Sequence, residues 1–81
     1  MRVTIKLFAI LCDRAGVAEL SLDLPAGSTV AFATQQLAQR FPGITDFLPR
    51  VAHAVNRSYA PASTVLNAGD ELALIPPVSG G

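Results

Sequence analysis

Apolar and polar positions alternate from the start of the chain. Val3, Ile5, Leu7 and Ala9 share one side of an extended run, with Thr4 and Lys6 opposite. A period of two is the signature of a half-buried strand, and it predicts one over residues 2–10. DRAG (Asp13–Gly16) then breaks the pattern, and Gly16 can supply a left-handed turn. A second alternation over residues 17–24 sets Leu20, Leu22 and Leu24 against Glu19, Ser21 and Asp23. Two strands joined by so short a connection pair most simply as an antiparallel hairpin.

After PAG (Pro25–Gly27) the period changes. Ser28 or Thr29 is placed to cap a helix, since a hydroxyl there accepts from the first free backbone amides. Val30, Ala33, Leu37 and Phe41 recur at three- and four-residue intervals as one apolar stripe, with Gln35, Gln36, Gln39 and Arg40 on the wet side. Phe32 lies off the stripe and is expected to fold over the helix edge. Pro42-Gly43 ends the helix. Residues 44–50 read as irregular, with Phe47 and Leu48 plugging the end of the core. VAHAVN (residues 51–56) is a third strand, RSYAPAS a connection, and residues 64–66 a short edge. NAGD is a turn, residues 71–75 form the last strand, and Pro76-Pro77 cannot continue its ladder. The order β-β-α-β-(β)-β, without repeats or linker, predicts an α+β domain of four to five strands on one main helix.

One helix covers one side of such a sheet. The other side carries Thr4 and Lys6 but then Phe8 and Ile10. In the last strand Ala73 and Ile75 oppose Leu72 and Leu74, and in the third Ala52 and Ala54 oppose Val51 and Val55. The second side is therefore less polar than a water-facing sheet usually is, most of all toward the C-terminal end. An apolar patch of this kind marks a partner surface, with Phe8, Ile10, Ala73 and Ile75 as its candidates.

Composition narrows the chemistry. The chain has 81 residues, 51% of them apolar and 15% charged, with six basic and six acidic side chains that cancel. That is one small folded domain, with no electrostatic footprint for nucleic acid and no stretch near the ~20 apolar residues of a membrane span. Cys12 is the single cysteine, so an internal disulfide and a cysteine-based zinc site are both excluded, and a reducing cytoplasm is the expected compartment. MRVTIKLFAILC loosely suggests a lipoprotein signal, but Lys6 interrupts the apolar run and leaves LFAIL, too short for the apolar region of a signal peptide. His53 lies between alanines in a strand pattern, which suits a satisfied or surface histidine better than a catalytic one. Cys12 has only Arg14 nearby to lower its thiol pKa. No paired carboxylates, metal-ligand set or glycine-rich phosphate loop is apparent.

The tail, PPVSGG, carries the remaining chemistry. The α-carboxyl of Gly81 is ionised at neutral pH and can attack the α-phosphate of ATP to give an acyl-adenylate open to sulfur or nitrogen. Glycine leaves that carbonyl uncrowded, and Gly80-Gly81 can thread a channel that side chains would block. Pro76 and Pro77 fix φ and hold the exit extended. Six residues reach about 20 Å, enough to enter a neighbouring active site. Residues 1–75 are thus expected to be the domain, and residues 76–81 an extended, flexible arm with Gly81 as its reactive group. On chemistry alone a two-glycine ending is a weak motif.

Longer segments add specificity. KLFAILCDRAG, LPAGSTV, RFPG, AVN and above all NAGDELALIPPVSGG resemble the small-subunit family of molybdopterin synthase, the sulfur carriers of molybdenum-cofactor biosynthesis. The resemblance runs nearly end to end. It implies a ubiquitin-like β-grasp fold with a mixed sheet and no catalytic site of the chain's own. A ubiquitin-activating-like adenylyltransferase would adenylate Gly81 with ATP, and a sulfur donor would convert it to a thiocarboxylate. The tail, Pro76, Pro77, Val78, Ser79, Gly80 and Gly81, would then enter the large synthase subunit and pass sulfur to cyclic pyranopterin monophosphate, building the dithiolene. Phe8 and Ile75 match positions that family members use for apolar contact with partners. No cofactor would be bound stably and no metal held. Alternative readings are a sulfur carrier of thiamine or cysteine synthesis, a ubiquitin-like protein modifier, and an interaction module with an inert tail.

Overall fold

The computed structural model describes residues 1–77; the expectations for Val78, Ser79, Gly80 and Gly81 lie outside them. In chain order the elements are β1 (Arg2–Leu7), α1 (Ile10–Ala15), β2 (Glu19–Asp23), α2 (Val30–Arg40), a 3₁₀ helix (Pro42–Arg50), β3 (Ala52–Val55), β4 (Ser58–Tyr59) and β5 (Glu71–Ile75). The strands form one sheet in the order β2-β1-β5-β3-β4. β1 and β5 run parallel at its centre, with Ile5 opposite Leu72 and Leu7 opposite Leu74, and the other pairings are antiparallel. The sheet is therefore mixed and packs against α2, as a β-grasp domain does.

The core follows the two periodicities. Val3, Ile5 and Leu7 of β1, Leu22 of β2, and Leu72 and Leu74 of β5 are buried against Val30, Ala33 and Leu37 of α2. Ile44 of the 3₁₀ helix is fully buried, and Phe47 and Leu48 pack beside it against the core. The stretch expected to be irregular is helical because Pro42 suits a first turn and Ile44 needs burial.

The start of α2 is satisfied from two sides. Thr29 caps it, its hydroxyl accepting from the amide of Phe32 at 3.2 Å. The amides of Val30 and Ala31, which no helical carbonyl can reach, donate to the carbonyls of Thr64 and Ala62 at 2.9 Å each. The segment after β4 thus lies across the helix start and buries Leu66. The expected edge at residues 64–66 is a single bridge, Thr29 to Val65, rather than a strand.

Two boundaries differ from the sequence reading in ways that move side chains. The first strand ends at Leu7, not at residue 10, and Ala9, with φ 51°, turns the chain into α1. Leu11 then enters the core with no exposed surface, which an extended chain running on past Leu7 would not have given it. Ile10 accordingly leaves the open face of the sheet and packs at the core's edge. α1 closes on Gly16 at φ 82°, whose amide returns to the carbonyl of Cys12 at 2.8 Å. The second difference is in RSYAPAS, where Ser58 and Tyr59 form β4 and pair with Val55 and Ala54.

Candidate functional site

The described residues bring two features together: the root of the tail and an apolar groove that runs along β5 to reach it. Both follow from the position of β5. Its final residue, Ile75, pairs with Ala52, and Pro76 and Pro77 then leave the ladder because neither has an amide to donate. Since β1 runs parallel to β5, Phe8 comes out at that same end.

The groove, about 420 Å³, lies on the sheet face away from α2 and is lined by Lys6, Phe8, Ala54, Arg57, Tyr59, Glu71, Ala73 and Ile75. Ala54 and Ala73 are register partners on this face and form its floor. Each is only 6% exposed, because larger neighbours overhang them. Phe8, 46% exposed, and Tyr59, 78% exposed, stand at the walls. Large aromatics left this open beside a small-residue floor make a receptive surface rather than a solvated one. Farther along the same face the partners are polar, Thr4 with Ser21 and Arg2 with Asp23.

Charges rim the groove. Lys6 Nζ lies 3.3 Å from Glu71 and 3.9 Å from Glu19, and Arg57 Nε lies 4.0 Å from Glu71. Asn56 and Arg57 form the β3–β4 turn with φ values of 51° and 71°. The left-handed region costs a residue with a Cβ, such as arginine, about 1 kcal/mol or more relative to glycine.

Of the four sequence candidates for partner contact, Phe8, Ala73 and Ile75 meet in this groove. Ile10 does not. It lines a separate cavity of about 360 Å³ with Ala9, Phe47, Arg50, Pro76 and Pro77, at the tail's root. There the guanidinium of Arg14 sits 5.4 Å from the centre of the Phe47 ring, tying α1 to the 3₁₀ helix. Tyr59 and Arg57 were missed by sequence reasoning. A two-residue turn between apolar runs announces a hairpin when it reads Asn-Gly, and here arginine takes the glycine's place.

The remaining titratable candidates are dispersed. His53 lies in β3 in register with Leu74, on the core side, and burial lowers its pKa from the usual 6.5. Its Nε2 is buried without a hydrogen-bond partner among the described residues. Cys12 is half-buried in α1. Among the described residues no three His, Cys, Asp or Glu side chains gather as a metal site.

A domain that ends its central strand on Pro-Pro beside an apolar groove invites comparison with known carriers, and residues 5–81 match the ThiS family. The chain belongs to that family. It is 36% identical to the molybdopterin synthase sulfur carrier subunit of Arabidopsis thaliana, over all of this chain and 84% of the plant protein. To the protein of the same name from Mycobacterium tuberculosis it is 43% identical, over 86% of this chain and 82% of the other. Its fold matches the crystal structure of SAMP1 from Haloferax volcanii with a TM-score of 0.92 and 31% identity, each chain being covered in full. No helix among the described residues is long and apolar enough to cross a membrane.

Proposed function

We propose that this ThiS-family chain is a sulfur carrier, the small subunit of molybdopterin synthase, and that Gly81 carries the sulfur. The observation that carries the reading is the near-full-length likeness to two proteins named molybdopterin synthase sulfur carrier subunit. The site supports it: a central strand ends on Pro76-Pro77 next to an open apolar groove, so docking a partner there brings the arm to that partner.

The chemistry follows from the terminus. A carboxylate oxygen of Gly81 attacks the α-phosphate of ATP in an adenylyltransferase, releasing pyrophosphate. A sulfur donor then displaces AMP from the acyl carbon and leaves a thiocarboxylate. In the large subunit the tail delivers that sulfur to cyclic pyranopterin monophosphate, and two deliveries complete the dithiolene. This chain supplies the reactive group, the arm and the docking face, and the partners supply the catalytic side chains. Such a cycle suits the cytoplasm, where a thiocarboxylate and the Cys12 thiol both stay reduced.

Intact mass spectrometry of the chain, incubated with adenylyltransferase, ATP and sulfur donor, tests the reading. A single sulfur-for-oxygen exchange at the C-terminus is expected, and its transfer should convert the pterin when large subunit is added. Removal of Gly80-Gly81 should abolish both while leaving the fold intact. A truncated chain that still supports pterin conversion refutes the carrier role.

The likeness to SAMP1, named elsewhere as a small archaeal modifier protein, favours a second reading in which the activated Gly81 joins a lysine of another protein. A ladder of conjugates in lysate, in place of the discrete mass gain, would identify it.

A further inference from the structure

The turn between β3 and β4 holds a residue its backbone does not favour. Asn56 and Arg57 both have positive φ, and a two-residue turn of this kind prefers asparagine followed by glycine. Asparagine is present; arginine stands where glycine belongs. Little inside the domain offsets that choice. The Arg57 side chain is 84% exposed, and its ion pair with Glu71 spans 4.0 Å, a contact that adds next to nothing to stability. Glu71 is better held by Lys6, at 3.3 Å, and its backbone by Asn56. What the position does achieve is placement, since it sets a guanidinium on the wall of the groove at its Glu71 end, the end opposite Ile75.

A strained residue without an internal reason points to a use outside the chain. The two cations lining the groove differ in kind. Lys6 is 31% exposed and lies between two carboxylates, whereas Arg57 stands clear with its planar fork of donors. That fork matches a carboxylate in two parallel hydrogen bonds, which lysine cannot do. We propose that Arg57 is a specificity-determining residue of the docking face, pairing with a carboxylate side chain of the large synthase subunit. The apolar groove supplies contact area, and Arg57 selects an acidic rim over a neutral or basic one. The inference rests on the docking role given to this face above.

Titration calorimetry of the full chain against purified large subunit, with thermal unfolding alongside, tests it on R57G, R57E and I75D. R57G should unfold at the wild-type temperature or above, because glycine accepts the turn, yet bind about tenfold more weakly. R57E should bind more weakly again, and wild-type affinity should fall more steeply with salt than that of R57G. R57G binding within about twofold of wild type, while I75D abolishes binding, overturns the role of Arg57 and leaves the docking face standing. A marked loss of thermal stability in R57G also overturns it, since arginine would then serve the fold. Failure of the wild-type chain itself to bind refutes the docking reading and this inference together.

Discussion

The amide of Glu71 donates to the side-chain carbonyl of Asn56 at 3.0 Å, and the amide of Asn56 donates to the backbone carbonyl of Glu71 at 2.8 Å. The Asn56 side-chain amide also donates to Asp70 at 3.0 Å, and Asp70 in turn accepts from the amide of Asn67 at 2.7 Å. The turn after AVN and the NAGDE turn are therefore one hydrogen-bonded unit. It fixes where β5 starts, and so where the strand leading to Pro76 ends.

Asn56→Ala should cost about 1–3 kcal/mol, because it removes two side-chain hydrogen bonds and puts alanine at φ 51°. Asn56→Gly restores the backbone freedom but not the bonds, so it should fall between alanine and wild type. Urea denaturation of the three proteins gives the order directly.

The groove should close if its floor is raised. Ala73→Leu places a larger side chain under the neighbours that leave Ala73 only 6% exposed, so overpacking should cost about 1–3 kcal/mol. Binding to the large subunit should fall by at least about tenfold as the aromatic walls lose their recess. Binding assays on a variant shown to be folded decide between the two effects.

Phe8→Asp and Ile75→Asp should each weaken that docking by about 2–4 kcal/mol if they lie at the centre of the buried contact. Phe8 is already half exposed, so its replacement should spare the fold. Equal affinities for mutant and wild type would place these residues at a rim.

Stability should depend on pH through His53. Burial lowers its folded pKa below the 6.5 of the unfolded chain, so between those two values the unfolded state binds more protons. Stability is then complete above about pH 6.5, falls as pH drops through that value, and levels off below the folded pKa. His53→Leu should flatten this part of the curve. An unchanged slope in denaturation midpoints measured from pH 5 to 8 would assign it to other groups.

Thr29→Ala should cost only about 0.5–1 kcal/mol, the low end for a helix cap. The carbonyls of Ala62 and Thr64 still hold the first two amides of α2, and only the amide of Phe32 loses its partner. Thermal unfolding resolves a change of that size.

The last strand and the long helix were legible because both periods are clean there. Glu71–Ile75 is bounded by a turn on one side and two prolines on the other, and the Val30, Ala33, Leu37 stripe has no competing pattern. α1 was not legible, since Ala9 prolongs the Val3, Ile5, Leu7 series of β1 by chance, and a six-residue helix shows too few turns to reveal its own period. β4 was hidden for a related reason: two residues, Ser58 and Tyr59, cannot display alternation, and their turn lacks the expected glycine. The candidate contact set was accordingly incomplete, placing Ile10 with the groove and omitting Tyr59 and Arg57.

Local chemistry, then, already settled which residues alternate and where prolines stop a strand, because these depend only on neighbours in sequence. The parallel pairing of β1 with β5, the Ala54–Ala73 floor and the placing of Phe8 and Tyr59 on two walls of one groove join residues far apart along the chain. Such contacts form only when burying Leu11, Ile44 and Leu66 fixes how the sheet and helices close on one another. No local pattern carries that information, so the groove exists only in the folded domain.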